Sequence, residues 1–302
     1  MLPIFMYYIK ALEDSSSLFL IHTYCFESHL EQSFKNDSRF HCLGAPTRIW
    51  CISAIHGEID QLADLHDKIF PHIQPSDRII YTGNYIGYGK NSREVINELL
   101  AFRRATLAKQ SMISTDIIYL RGAQEEIWQK VLQLQFSPNP IKTFTWMLGN
   151  GLSNTLYSYD LCPHDGIEAC RQGIVGLSQW TAKLRAQIIQ NPGHQLFTTH
   201  LVRAAFTSED LEYPTLFVHA GLDKNHPLEQ QGDNFWWGHN KFDLIQERYR
   251  PFEKVVRGYD PDHKGVQHDN VKITIDGGCG FGGKLVCNVF DQHGDTLDSL
   301  HC

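Results

Sequence analysis

Three apolar segments, each followed by a glycine-containing loop, constrain the fold of this 302-residue chain more than any other feature of its sequence. Residues 48–52, 78–82 and 116–120 are rich in the residue types that favour buried strands. Between them, residues 59–70 and 91–108 carry apolar side chains at helical spacing. This alternation predicts an α/β sheet built from crossover connections, with its chemistry in the loops beyond the strand ends.

The rest of the chain extends this pattern without an internal repeat or an evident linker. Residues 126–212 are predicted to be largely helical, and five apolar runs are predicted as strands, at residues 194–200, 215–218, 254–257, 271–275 and 284–290. We therefore expect one domain over residues 48–302. Residues 1–47 form an N-terminal extension, which we expect to pack on this domain or to engage a partner.

Composition narrows the class of protein and its surroundings. The formal net charge of −7 argues against nucleic acid as the main partner. The eight cysteines are scattered without a C-x-x-C pair, as expected for reduced thiols in the cytoplasm. The apolar run at residues 1–8 is much shorter than the ~20 residues that span a bilayer, so no membrane insertion is expected.

The three loops carry a recognisable pattern. They contain S-A-I-H-G at 53–57, G-N-Y-I-G-Y-G at 83–89 and G-A-Q-E at 122–125. These resemble the G-D-x-H-G, G-D-x-x-D-R-G and G-N-H-E signatures of calcineurin-like metallophosphoesterases. Further segments resemble the same family in the same order, including V-H-A-G-L-D at 218–223 and I-D-G-G at 275–278.

The resemblance spans about residues 48–291 and is to the branch that holds bacterial serine/threonine-type phosphatases and symmetrical diadenosine tetraphosphate hydrolases. It implies an α/β fold in which two mixed β-sheets pack face to face as a sandwich flanked by helices. It also implies hydrolysis by two metal ions that share a bridging carboxylate and activate a water molecule. The residues in the ligand positions decide whether that chemistry is available.

Four of the ligand positions that the resemblance identifies have lost their ligands. The first aspartate, the bridging aspartate, the asparagine and the histidine of the family correspond to Ala54, Asn84, Ala123 and Tyr259. Hard divalent ions need anionic oxygen ligands, and two cations a few Å apart need them most. We therefore expect no dinuclear centre.

The groups that the family uses on the substrate are also replaced. Gln124 stands where the resemblance places the histidine acid, and a carboxamide has no proton to give. Gly87 replaces the aspartate that orients this histidine. Tyr88 replaces the arginine that grips phosphate with two hydrogen bonds. The sequence thus predicts no catalytic residue at these positions.

Two histidines, His56 and His219, match family ligands, although the resemblance assigns them to different metals. They can hold at most one weakly bound divalent metal, together with Asn84 and water. The alternative, which we favour, is that they are hydrogen-bonded inside a closed pocket and that no cofactor is bound. Glu125 is expected to cap the following helix, and Arg121 to pair with a carboxylate.

These observations favour a catalytically inactive metallophosphoesterase-like protein, a pseudophosphatase. It would act by binding another protein, by forming homo-oligomers or as a structural subunit of an assembly. The alternative is a residual or repurposed phosphoester hydrolase of the serine/threonine phosphatase or diadenosine tetraphosphatase type. A non-hydrolysing binder of nucleotides or phosphate ranks last, because the cleft has lost its positive charge.

Overall fold

The computed structural model describes residues 37–302. The strands in this part of the chain are β1 (Phe40–Cys42), β2 (Arg48–Ile52), β3 (Asp77–Tyr81), β4 (Ile117–Tyr119), β5 (Ala204–Phe206), β6 (Thr215–Val218), β7 (Lys254–Arg257), β8 (Gln267–His268), β9 (Lys272–Thr274), β10 (Val286–Asp291) and β11 (Thr296–His301). The helices are α1 (Ile59–Ile69), α2 (Ser92–Leu107), α3 (Ala123–Val131), α4 (Pro140–Met147), α5 (Ser153–Ser158), α6 (Pro163–Arg171), α7 (Gly173–Gln190), α8 (His194–Thr199), α9 (Asn234–Trp237) and α10 (His239–Asp243).

The strands form two mixed sheets. The order is β1-β5-β6-β7-β9-β8 in the six-stranded sheet and β11-β10-β2-β3-β4 in the five-stranded sheet. Strands β2, β3 and β4 are parallel, and so are β6, β7 and β9. Because parallel strands end at the same edge, the loops after them meet there.

The two sheets pack face to face, and alternation along each strand determines which side chains lie between them. In β2, Ile49 and Cys51 face the other sheet, where they join Phe217 of β6 and Val256 of β7 in one buried cluster. Trp50 of β2 faces the opposite way, toward the helices. These contacts confirm the predicted sandwich of two mixed sheets flanked by helices.

Helices cover the outer face of the five-stranded sheet. The buried positions Leu62, Leu65 and Ile69 of α1 recur at helical spacing, and Val95 and Leu99 of α2 do the same. The outer face of the six-stranded sheet is covered by the segment 222–252, which includes α9 and α10. Among residues 37–302, no helix is long and apolar enough to cross a membrane.

The structure differs from the sequence prediction in two places. The run 194–200, predicted as a strand, contains helix α8 instead. His194 is buried there between Tyr159 and Asn97, so tertiary contacts override the local strand propensity. Strand β1, which lies within the predicted extension, forms the edge of the six-stranded sheet. The division of the chain at residue 47 stays a prediction, and residues 1–36 lie outside the described part.

Candidate functional site

The edge at which the parallel strands end brings together the loops that the sequence singled out. The loops after β2 and β3 contain Ala54 and Asn84, and Ala123 begins helix α3 after β4; all three residues are buried. From the other sheet, His219 follows β6 and Tyr259 follows β7 closely. The backbone N–H of Ala54 donates to Gly258 at 3.1 Å, which joins the two sets of loops.

The backbone of the first loop is held in an unusual conformation. His56 has φ of 53°, and its N–H donates to the Asn84 carbonyl at 2.6 Å. The next residue, Gly57, has φ of 80°, and a Cβ at that position would lie 2.9 Å from the carbonyl oxygen of Gly89. Only glycine fits so close to a neighbouring backbone in the left-handed region. The turn therefore requires Gly57 whether or not a metal is bound.

Both ends of the Asn84 carboxamide are engaged by protein. Its Oδ1 accepts a hydrogen bond from the Gln124 backbone N–H at 2.9 Å, which fixes the orientation of the amide. Its Nδ2 then faces His56 Nε2 at 3.3 Å. An oxygen that already accepts at the start of a helix is a poor substitute for a bridging carboxylate, since it carries no charge to compensate two dications.

Glu125 ties the second and third loops together. Its carboxylate accepts the backbone N–H groups of Asn84 at 2.8 Å, Tyr85 at 2.9 Å and Gly122 at 2.9 Å. Burial raises the pKa of the Glu125 carboxyl, and the hydrogen bonds from these backbone groups oppose that rise. As predicted, Glu125 caps helix α3, and it also fixes the loop after β3.

Three aromatic side chains surround His56 and cover the site. We call Tyr88, Tyr259 and Phe281 the aromatic plug. Their ring centroids lie 5.5, 5.3 and 5.1 Å from that of His56. Tyr259 also stacks on His219, with centroids 5.3 Å apart and planes 9° apart. Tyr88 and Tyr259 thus place aromatic rings where the family positions supply a phosphate clamp and a metal ligand.

The hydrogen bonds of the two histidines define their tautomers. His219 Nδ1 donates to the Thr82 carbonyl at 2.7 Å, so its Nε2 carries the lone pair. His56 Nε2 faces the donor Nδ2 of Asn84, so its Nδ1 carries the hydrogen. His219 Nε2 and His56 Nδ1 are both buried and have no partner among the described residues. Of these two unpartnered nitrogens, only His219 Nε2 has a lone pair for a metal.

Both imidazoles are neutral near pH 7. Burial lowers the pKa of His219 to about 4, with the Thr82 hydrogen bond opposing the shift. Burial also holds the pKa of His56 well below its usual range, and the nearby His219 lowers it further. A neutral imidazole is the form that binds metal. Their protonation state therefore leaves both histidines able to bind metal. Their hydrogen-bond partners and the aromatic plug are what limit their use as ligands.

The Gln124 side chain is held in place by two neighbouring loops. Its side chain fills the space beside Gly87 and Gly151, where a Cβ on either glycine would lie 2.9 or 2.8 Å from it. Its Nε2 donates to the Asn150 carbonyl at 3.0 Å. The absence of a side chain at Gly87 makes room for Gln124, so the two replacements fit each other. These two residues occupy the positions that the sequence resemblance assigns to a histidine and its aspartate.

Sequence reasoning missed the third ring of the plug and the residues behind it. Phe281 lies in a loop in which Gly280 and Gly282 have φ of 85° and 84°. Its ring packs on His263 with centroids 4.1 Å apart, and His263 Nδ1 lies 3.0 Å from Asp276. The glycines that flank Phe281 signalled a tight loop, but nothing in the sequence indicated that its tip reaches His56.

The donors at this edge do not fit a two-metal centre. Among residues 37–302, no group of three or more His, Cys, Asp and Glu side chains is arranged to hold a metal ion. Two buried carboxylates in these loops already accept hydrogen bonds from protein: Glu125 as above, and Asp276 from the N–H groups of Asp260 and Gly278. We therefore derive no reaction step through metal ions at this site.

The two-sheet sandwich and its converging loops define an α/β protein of the metallophosphoesterase type. The model of the calcineurin-like phosphoesterase family matches residues 47–271, most of the chain. This chain therefore belongs to the calcineurin-like phosphoesterase family. A comparison with curated protein sequences gives no match.

Several solved structures are similar to the chain. A candidate diadenosine tetraphosphatase is 16% identical, with 87% of this chain and 97% of that chain covered and a TM-score of 0.48. A protein serine/threonine phosphatase from Saccharomyces cerevisiae is 15% identical, with coverage of 91% and 86% and a TM-score of 0.48. A metallophosphoesterase from Sphaerobacter thermophilus is 13% identical, with coverage of 85% and 88% and a TM-score of 0.40.

Proposed function

We propose that this chain is a pseudophosphatase, a family member that no longer hydrolyses phosphoesters and acts by binding protein. The observation that carries the proposal is the aromatic plug together with the engaged Asn84 amide. A phosphate would need open space and positive charge, and the plug puts neutral rings in that space. Because the turns are retained and the reactive groups are replaced in a compatible way, the domain keeps its fold without its chemistry.

A binding role is supported by aromatic side chains that are exposed beside the cleft at the edge where the parallel strands end. Trp146 and Trp237 form an edge-to-face pair with ring centroids 5.9 Å apart, and they are 48% and 38% exposed. Exposed tryptophans are typical of protein interfaces. The partner we propose is another protein, a second copy of the chain or a larger assembly in the cytoplasm, and neither nucleic acid nor a membrane.

The competing proposal is a residual hydrolase that uses His56, His219 and a recruited carboxylate. One observation favours it, namely the buried lone pair of His219 Nε2, which has no partner among the described residues. A single imidazole and a neutral amide oxygen make a weak site for a hard cation. We therefore keep the hydrolase as the alternative that the experiment must exclude.

The test measures metal content and hydrolysis on the same purified chain. After incubation with Mn²⁺ or Zn²⁺ and desalting, we expect well under one metal per chain. We also expect hydrolysis of p-nitrophenyl phosphate and diadenosine tetraphosphate no faster than in buffer. About two metals per chain, or activity that disappears in the His56→Ala/His219→Ala variant, would overturn the proposal in favour of the hydrolase.

A matched pair of variants checks that the assay can detect the family's chemistry. Restoring the carboxylates alone, with Ala54→Asp/Asn84→Asp, should leave activity absent because Tyr88 and Tyr259 still fill the site. Combining these changes with Tyr88→Arg, Ala123→Asn, Gln124→His and Tyr259→His should raise metal content. Equal metal binding by the two variants would show that Tyr88, Ala123, Gln124 and Tyr259 do not limit metal binding.

A further inference from the structure

Arginine and tryptophan side chains lie together on a surface beside the edge of the six-stranded sheet. We call this surface the arginine–tryptophan face. It consists of Arg39, Arg121, Arg203, Trp236, Trp237 and Trp146. Arg203 lies over the Trp236 ring at 5.4 Å, and Trp236 Nε1 donates to the Arg121 carbonyl at 3.1 Å. Trp237 follows Trp236 in α9 and pairs with Trp146, whose carbonyl accepts a hydrogen bond from Asn150. The Asn150 carbonyl in turn accepts from Gln124 at the cleft, which connects the face to the cleft.

The charges on this face are incompletely paired. Arg39 pairs with Asp37 through three side-chain hydrogen bonds, and Arg121 pairs with Glu126 at 3.5 Å. Arg203 is within salt-bridge distance of no carboxylate in the part of the chain that the structure describes. Burial and the neighbouring Arg39 and Arg121 lower the pKa of Arg203, as expected where cations crowd together. The face therefore favours an acidic group beside Arg203.

The described part of the chain begins at this face. Asp37 pairs with Arg39, and the backbone N–H of Arg203 donates to the Arg39 carbonyl at 2.7 Å. Residues 1–36 therefore join the domain beside Arg203. They carry four acidic residues and two lysines, with aromatic residues interspersed: Glu13, Asp14, Glu27 and Glu31 against Lys10 and Lys35, with Phe19, Tyr24, Phe26 and Phe34 among them.

Chain length allows these residues to reach the face. Five residues lie between Glu31 and Asp37, so six residue steps give at most about 20 Å of extended chain, and Glu27 reaches about 35 Å. A tether of this kind gives an effective concentration of about 1 mM, so contacts too weak to hold a separate molecule suffice. A separate acidic protein has no such advantage.

We propose that residues 1–36 of the same chain dock on the arginine–tryptophan face, with Glu27 or Glu31 beside Arg203 and an aromatic side chain against Trp146 and Trp237. This intramolecular contact does not depend on whether the cleft hydrolyses phosphoesters. It would cover the tryptophans beside the cleft, so a protein partner that uses them would have to displace the segment.

The experiment places the photo-crosslinking residue p-benzoylphenylalanine at Phe26 of the full-length chain. After irradiation and proteolysis, we expect crosslinks to peptides that contain Trp146, Arg203 or Trp237. Mixing ¹⁵N-labelled and unlabelled chains should show that they form within one chain. Crosslinks mainly to other surfaces, crosslinks mainly between two chains, or no crosslink would each overturn the proposal. The probe placed at Leu297, which is 56% exposed on the edge strand β11 of the five-stranded sheet, is the control and should not reach these peptides.

A charge exchange tests the role of Arg203. The Glu27→Lys/Glu31→Lys variant should lower the crosslink yield about threefold, as expected for partly exposed charge pairs. Arg203→Glu should do the same, and the combined variant should recover most of the yield. Lys183→Glu, on α7, is the matched control and should leave the yield unchanged. Crosslink yields that stay the same in all of these variants would overturn the proposal.

Thermal unfolding shows whether each variant is folded. If Arg203→Glu does not fold, the Trp146→Ala/Trp237→Ala variant replaces it, because both of these side chains are exposed. That variant should lower the crosslink yield at least as much as the Glu27→Lys/Glu31→Lys variant does. An unchanged yield would overturn the proposal.

Discussion

The buried base of the cleft and its exposed mouth differ in the side chains that line them. At the base, Asn84 and Glu125 are buried, and their side chains hydrogen-bond to backbone groups of neighbouring loops. At the mouth, Trp146, Trp237 and Phe281 expose between 38% and 48% of their surface. The contrast indicates that the polar groups of the base hold the loops of the fold together, whereas the mouth presents aromatic surface.

The largest effect is expected at the base, from Glu125→Ala. The substitution leaves the buried N–H groups of Asn84, Tyr85 and Gly122 without their acceptor, and it should lower the free energy of unfolding by about 4 kcal/mol. Chemical denaturation measures this loss. Glu168→Ala, at a 40% exposed side chain on α6, is the control and should cost less than about 0.5 kcal/mol. Equal losses would contradict a structural role for Glu125.

The second prediction concerns pH. The pKa of His219 is about 4 in the folded chain and about 6.5 when unfolded. Between these values the unfolded state binds more protons, so stability falls as pH is lowered from 6.5 to 4 and His219 accounts for roughly 3 kcal/mol. Replacing it by Gln should reduce the slope of unfolding free energy against pH by about 1.4 kcal/mol per unit in this window.

His263 at the mouth should behave in the opposite way and more weakly. The Asp276 carboxylate raises the pKa of His263, so its contribution is present at low pH and is lost as pH rises through the folded pKa. Denaturation of His263→Gln across the same pH range provides the comparison. Two variants with the same pH trend would remove the distinction between base and mouth.

A third prediction separates backbone conformation from close packing. Gly57 and Gly173 both have positive φ, of 80° and 76°, but a Cβ meets the Gly89 backbone at Gly57 and open space at Gly173. Gly173→Ala should cost about 1 kcal/mol for the left-handed conformation alone. Gly57→Ala should cost about 2 kcal/mol more because the backbone of the next loop must move. Similar losses would mean that the loops are not held tightly at the base.

The smallest effect on stability is expected at the plug. Phe281→Ala removes a ring that is 43% exposed, so it should lower the unfolding free energy by only about 1 kcal/mol. It should also expose His56, which we expect to react several-fold faster with diethyl pyrocarbonate. Mass spectrometry of the His56 peptide measures the rate, with Phe136→Ala as the control. An unchanged rate would show that Phe281 does not cover the site.

The sequence was sufficient for those features that depend on local pattern. The apolar run of β2 and the helical spacing of α1 predicted a strand followed by a helix, and the glycine turns located the edge at which His56 and Asn84 meet. The sequence was insufficient where contacts between distant residues determine the local structure. Nothing local indicated that α8 is a helix, since its buried His194 pairs with residues far away in the chain.

The same limit applies to the site. The sequence predicted which ligand positions have lost their ligands, because a family pattern assigns a residue type to each position. It did not reveal that Tyr88, Tyr259 and Phe281 meet over His56, since they come from three separate loops. The engagement of the Asn84 amide by Gln124 was likewise visible only in three dimensions.

The account rests on the claim that this edge of the sandwich no longer assembles a metal pair. Anomalous diffraction from crystals of the chain soaked in Mn²⁺ tests it directly, because each bound ion gives a peak at a defined position. We predict no peak between His56 and His219, in contrast to the dinuclear centre of the family. Two peaks a few Å apart, with Asn84 between them, would contradict the account.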